Sequence, residues 1–218
     1  MAEDEIAYSV TYLDGELEEG LTYLKRAGKA RVQYTNGDVY EGEYGPDKKR
    51  NGQGTYTYKT EEDSPENKYA GEWKNGLKCG LGTATYPDGS RYQGQFNDGV
   101  YHGQGSYIYP NGDVYSGEWV NGKKNGSGTY LFKSSDSYFK GKWKSGEIVV
   151  GSWVHKDGTV WDGTFENGRP CGYGTFSFKN GNVQTGEYIE QNEKSHRTDE
   201  FATVPVWLGE QVSRKKKK

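Results

Sequence analysis

One spacing constrains this chain more than anything else in it. A ring closes the pattern aromatic-x-Gly-x at Tyr44, Trp73, Phe96, Trp119, Trp143 and Phe165, and again at Tyr188 with Gln184 in the aromatic's place, and from Trp73 onward the steps are 22 to 24 residues. The first step is 29, because Lys59 to Lys68 (KTEEDSPENK) replaces a short connector and one further residue follows Tyr44. A period of this length marks a repeat architecture, in which each unit is one supersecondary element packed only on its neighbours.

Each unit has two halves. The first reads Tyr69-Ala70-Gly71-Glu72-Trp73, Tyr92-Gln93-Gly94-Gln95-Phe96, Tyr115-Ser116-Gly117-Glu118-Trp119 or Trp161-Asp162-Gly163-Thr164-Phe165. Side chains alternate across a strand, so one face is ring, glycine, ring and the other is polar. The second half, as in Gly103-Gln104-Gly105-Ser106-Tyr107-Ile108-Tyr109, sorts the same way. Asn75-Gly76, Asp98-Gly99, Asn121-Gly122 and Asn167-Gly168 join the halves, and Asn36-Gly37, Asp88-Gly89, Asn111-Gly112, Asp157-Gly158 and Asn180-Gly181 join the units. Such dipeptides supply the positive φ angles of tight hairpin turns. The pattern predicts an antiparallel meander.

Whether such a chain can fold is a question of composition. Hydrophobic residues are only 31% and mean hydropathy is −1.05, which alone would point to disorder. Disordered chains are aromatic-poor, however, and this one has 19 Tyr, 7 Phe, 6 Trp and 33 Gly. Glycine in mid-strand costs about 0.5–1 kcal/mol relative to alanine, a cost offset if a ring from the neighbouring strand lies over the bare backbone. Each aromatic pair adds about 0.5–1.5 kcal/mol beyond its buried area. The expected fold is all-β: an elongated single-layer antiparallel meander of hairpins, about fourteen strands and roughly 65 Å long, twisted or curved. Its divisions would be an acidic segment at 1–11, the repeat array at 12–190 and a tail at 191–218.

The rings Tyr44, Trp73, Phe96, Trp119, Trp143, Phe165, Tyr109 and Phe132 are expected to form an aromatic interface face. Left open to water it would exceed what monomers tolerate, so pairing with a second copy or another repeat subunit is expected. Glu43, Glu72, Glu118 and Asp162 are read as one row on the polar face, solubilising or docking a basic partner.

Chemistry is scarce. Glycines that recur in every unit and lead into a strand do not make a phosphate loop. His102 and His155 fill slots held elsewhere by Cys79, Asn125 and Cys171 or by Tyr86 and Tyr109, and His196 lies in the tail; none has a partner at metal spacing. No catalytic residue, metal or cofactor is expected. Cys79 and Cys171 are four repeats apart, about 38 Å on a meander, too far for a disulfide. With a net charge of −3, nucleic acid is not an expected partner. The acidic start (Glu3, Asp4, Glu5) is not a secretory signal, no apolar run is long enough to span a bilayer, and a cytoplasmic location follows. A basic run, Arg214 to Lys218, closes the chain.

The units resemble MORN repeats, whose pattern is Tyr-x-Gly-x-Trp, a turn, Gly-x-Gly and then aromatics. The likeness covers residues 40 to 188, with traces at Tyr12, Gly15, Leu17, Gly20 and Gly28. Unit five departs: Glu147-Ile148-Val149-Val150-Gly151 has lost the Gly-x-Gly and one residue. After the last unit, Val204-Pro205-Val206-Trp207 is similar to the Val-Pro-x-Trp ending of the repeat region in radial spoke head proteins 1 and 10. That resemblance implies a scaffold in the axoneme of cilia and flagella, packed against other spoke-head subunits and facing the central apparatus. Val204, Pro205 and Trp207 would either cover the last sheet edge or dock a neighbour. Two other MORN settings are a membrane tether binding acidic lipids, for which only the basic tail speaks, and the targeting module of an enzyme-containing complex, for which no catalytic domain is seen.

Overall fold

A computed structural model describes residues 7–15, 20–61, 64–194 and 201–214. The acidic start, Leu17, His196 and Lys215–Lys218 lie outside the described residues, as do two residues of the 59–68 insertion. Among the described residues there are seventeen strands and no helix. The chain folds as two compact units, Met1–Pro110 with Trp119–Gly122, and Asn111–Glu118 with Lys123–Lys218.

The first unit holds β1 (Ala7–Tyr12), β2 (Gly28–Tyr34), β3 (Val39–Tyr44), β4 (Arg50–Thr57), β5 (Lys68–Lys74), β6 (Leu77–Thr85), β7 (Arg91–Asn97) and β8 (Val100–Ile108). Each pairs antiparallel with the next. β9 (Val114–Val120) is the strand at which the units divide. The second unit holds β10 (Lys123–Phe132), β11 (Ser137–Lys144), β12 (Glu147–Val154), β13 (Val160–Glu166), β14 (Arg169–Ser177) and β15 (Asn182–Lys194), again in meander order. β16 (Phe201–Gly209) and the short β17 (Ser213–Arg214) both pair with β15. The fold is thus the expected all-β antiparallel meander. Its additional strands, β1, β16 and β17, lie toward the chain ends, so β1 crosses the boundary placed at residue 12 and β15 runs past 190.

Glycine is the register mark. Gly42↔Gly54, Gly54↔Gly71, Gly71↔Gly82, Gly82↔Gly94 and Gly94↔Gly105 pair across successive strands of the first unit. Gly128↔Gly141, Gly141↔Gly151, Gly151↔Gly163, Gly163↔Gly174, Gly174↔Gly186 and Gly186↔Gly209 do the same in the second. A Cβ at Gly71 would stand 2.6 Å from the Cα of Gly82 and 2.6 Å from the Tyr69 hydroxyl. The ring over the trough comes from two residues earlier on the same strand, not only from the neighbour as expected: Tyr69 covers Gly71 and reaches across to Gly82. Alternation places residues i and i+2 on one face, so the ring's own strand carries it there.

The same dipeptides make two different turns. Inside a repeat both residues have positive φ, as at Asn75 (52°) and Gly76 (84°), the geometry of a two-residue type I′ hairpin. Between repeats only the glycine does, as at Gly89 (83°). There Gly89 N donates to Tyr86 O, and Ser90 N donates to Asp88 Oδ1 at 2.9 Å, a three-residue loop closed by the Asp side chain. The last repeat has Glu190-Gln191 where the units from Trp73 to Phe165 have Asn-Gly, Asp-Gly or Ser-Gly. Neither residue takes positive φ, so β15 continues straight and β16 returns along it.

Gly71→Ala should cost about 3 kcal/mol, because backbone and not a flexible side chain must yield. Gly89→Ala, with open space around its Cβ but a left-handed φ, should cost about 1–2 kcal/mol. Urea denaturation followed by far-UV circular dichroism ranks the two.

Candidate functional site

Three sets of rings, stacked along the strands, build the aromatic face. The first ring of each repeat stands between the second rings of its own and the next repeat, edge to face. Tyr40 lies 5.1 Å from Tyr44 and 5.4 Å from Trp73, and Tyr69 lies 5.1 Å from Trp73 and 4.9 Å from Phe96. In the second unit Phe165 lies 5.0 Å from Phe139 and 4.9 Å from Trp161. Ring hydroxyls find backbone: Tyr40, Tyr69, Tyr92 and Tyr115 donate to the carbonyls of Glu43, Glu72, Gln95 and Glu118 at 2.8–3.1 Å. The Nε1 atoms of Trp73, Trp119 and Trp143 donate to the carbonyls of Gly54, Gly105 and Gly128 at 3.0–3.1 Å.

This packing corrects one expectation. Tyr44, Trp73, Phe96, Trp119, Trp143 and Phe165 are at most 6% exposed within the chain itself. They are core, not an interface face, because the glycine troughs let rings lie flat and cover one another. Tyr109 and Phe132 are half-buried, against Tyr107 (4.6 Å) and Phe139 (4.9 Å) respectively. Self-pairing through an exposed ring face therefore loses its premise.

A second row of polar partners was not read from the sequence. The residue after three of the inter-repeat glycines turns inward: Asp38, Ser90 and Asp113 are buried and accept from the hydroxyls of Tyr56, Tyr107 and Tyr130 at 2.8–2.9 Å. Burial opposes the charge on Asp113, but Lys133 N, Tyr130 and Asn111 hold its carboxyl below the ordinary value. Cations are caged by rings as well. Arg50 lies over Tyr56 (4.9 Å) and Trp73 (4.8 Å), and Lys124 over Tyr130 (4.8 Å) and Trp143 (4.7 Å), where desolvation pulls its ammonium pKa down. The recurrence of Arg50, Lys78 and Lys124 two residues past a turn was the available signal.

On the wet face the glutamates are structural. Each Gly-x-Gly opens a bulge, and the facing side chain takes its free N–H: Glu72 from Leu81 N (2.8 Å), Gln95 from Gln104 N (3.0 Å), Glu118 from Ser127 N (2.8 Å). Asp162 is not in that row. It sits two residues earlier in its strand and hydrogen-bonds Ser152, while Thr164 holds the equivalent position. A trough of about 620 Å³ follows the first unit's glycines, with Lys29, Glu41, Thr55, Thr83 and Gln93 among its walls, a mixed polar surface.

In the tail, Trp207 packs on Phe176 (5.1 Å) and Tyr188 (5.1 Å) and covers Gly186, standing in for the ring that position 184, a glutamine, lacks. Pro205 is exposed and Val204 half-buried on β16, paired with Glu190 and Gln191. The segment therefore forms the strand that covers β15. His155 lies against Trp153 at 4.1 Å. Both cysteines are free, and burial, with Glu72 nearby, pushes the Cys79 thiol up, away from reactivity. Among the described residues no His, Cys, Asp or Glu cluster could hold a metal ion, and no helix is long and apolar enough to cross a membrane. In unit five the bulge survives one residue shorter, at Lys142/Trp143, and Ile148 fills the core beneath it.

The MORN repeat family model matches residues 40–61, 69–91, 92–114, 115–137 and 161–183, just over half of the chain, and passes over unit five. Comparison with curated protein sequences gives no match.

Burial raises the Tyr92 hydroxyl to about 12 and those of Tyr40, Tyr44, Tyr69 and Tyr101 further. A folded-state pKa above the unfolded value near 10 means that this stability is complete below about pH 10 and drains as pH climbs through 12. Absorbance at 295 nm and far-UV circular dichroism should therefore change together in that window. Separately, Glu72→Leu should cost about 1 kcal/mol by stripping the bulge N–H of its acceptor, and Glu72→Gln little. Denaturant midpoints of the two variants check this.

Proposed function

The chain belongs to the MORN-repeat family, and from that membership we propose that it is a non-enzymatic scaffold subunit of the radial spoke head in the axoneme of cilia and flagella. MORN repeats are modules of protein interaction or membrane targeting. Of these the first is favoured, because recurring ionisable groups of the array are spent on the fold: Glu72 caps a bulge, buried Asp38 anchors a ring and Arg50 is caged. What carries the narrower reading is the ending. Val204-Pro205-Val206-Trp207 resembles the close of the repeat region in spoke-head proteins 1 and 10, and here it forms a strand whose Trp207 completes the last glycine trough. A scaffold of this kind would pack against other spoke-head subunits.

Axonemes from cells lacking the protein should lose spoke-head density and beat abnormally; normal heads with normal beating would sink the assignment. Co-sedimentation with anionic liposomes should leave the protein in the supernatant with or without residues 214–218. Pelleting that depends on those residues would favour a membrane tether instead.

A further inference from the structure

The irregular parts of the second unit converge on its wet face. Val150 stands where unit five lost its Gly-x-Gly, Tyr173 fills the middle of the last Gly-x-Gly, and Leu208 comes from the strand beyond the repeats. Tyr173 pairs with Glu187, Glu187 with Leu208, and Val150 with Thr164 of the strand next to β14. The side chains of Val150, Tyr173 and Leu208 are 45%, 72% and 53% exposed. Ile189 and Val206, paired with each other and half-buried, extend the apolar strip along β15 and β16. The bulge position of Tyr173 is Gln53 in β4, Leu81 in β6, Gln104 in β8 and Ser127 in β10, so the repeat does not demand an apolar residue there, and in β6 Leu81 stands without Val150 and Leu208 beside it.

On the β13–β16 side carboxylates outnumber cations around the strip, Arg169 standing opposite Glu166 at the far end of β14. Asp162, Glu187 and Glu210 share the face with Tyr173 and Leu208, whereas Lys140, Lys142 and Lys144 stand on β11, beyond Val150. Apolar anchors framed by carboxylates suit an amphipathic partner carrying cations, since aromatic and aliphatic contacts supply affinity and complementary charge sets orientation.

We propose that the wet face of β12–β16 is a docking surface for an apolar, basic segment of another protein. The inference rests on the scaffold reading and names the chemistry of one partner.

A displayed library of 16-residue peptides, selected on the full chain, tests it. Enriched peptides should carry two or three large apolar residues with net positive charge and weaken as salt is raised. They should lose at least tenfold in affinity against Tyr173→Asp/Leu208→Asp, and none against Leu81→Asp in the first unit. Tyr173→Ser and Leu208→Ser, chosen for unchanged far-UV spectra, should show the same loss, which separates docking from unfolding. Enrichment of acidic peptides, equal binding to the folded variants, or no enrichment would overturn the proposal. In axonemes, the double variant should be incorporated but lose a neighbouring subunit. Unchanged axoneme composition would reject the surface and leave the spoke-head assignment standing. Absence of the wild-type protein from axonemes would reject that assignment and leave the peptide result intact.

Discussion

A tyrosine lying across two facing glycines is the interaction on which the rest depends. Tyr69 over Gly71 and Gly82 fixes the register of β5 and β6, because a side chain at Gly71 would collide with the backbone of β6 and one at Gly82 with the Tyr69 ring. It also allows Trp73 and Phe96 to close on the same ring from either side. Both needs are met by one geometric device, and a chain poor in Leu, Ile and Val acquires a dry interior inside a single layer. The Gly-x-Gly bulge and its Glu or Gln cap are then the local cost of keeping the next ring on the same face.

Much of this was legible in the sequence, because period-two alternation and ring–glycine–ring spacing are properties of single strands. The strands β2 to β15 and every Asn-Gly or Asp-Gly turn could be placed from them. What could not be placed depends on which ring meets which backbone. Trp73 and Phe96 look like an exposed aromatic face until the tyrosine of the preceding position is seen to lie flat beneath them. Asp38 and Asp113 look like ordinary turn residues, since nothing in Asn-Gly-Asp says that the carboxylate folds inward to a tyrosine eighteen or seventeen residues away. Glu72 and Glu118 look like a solvated row because the N–H groups they serve exist only once the bulge has formed. β1 and β17 were not read as sheet members, and β16 was only one of two readings of the Val204–Trp207 segment, because these strands lack the repeating ring–glycine–ring spacing.

Departures from the pattern fall into two kinds. At Gln184 the missing ring is replaced by Trp207 from the returning strand; at Phe139 the hydroxyl is gone and Ile148 fills beneath. Each of these substitutions is compensated within the core. Tyr173, Val150 and Leu208 answer no such need, and that difference between inward and outward irregularity separates packing from recognition.

The identical joint between successive repeats has an evolutionary corollary. Because the regular seams share two facing glycines and an overlying tyrosine, duplicating or excising one whole unit among them would recreate a seam already proven, while a partial unit would leave a ring without its trough. Size in such a lineage is therefore quantised in steps of one hairpin pair. The ending is set separately, by the place where the left-handed dipeptide is lost and the chain, unable to reverse, runs on to meet its own closing strand.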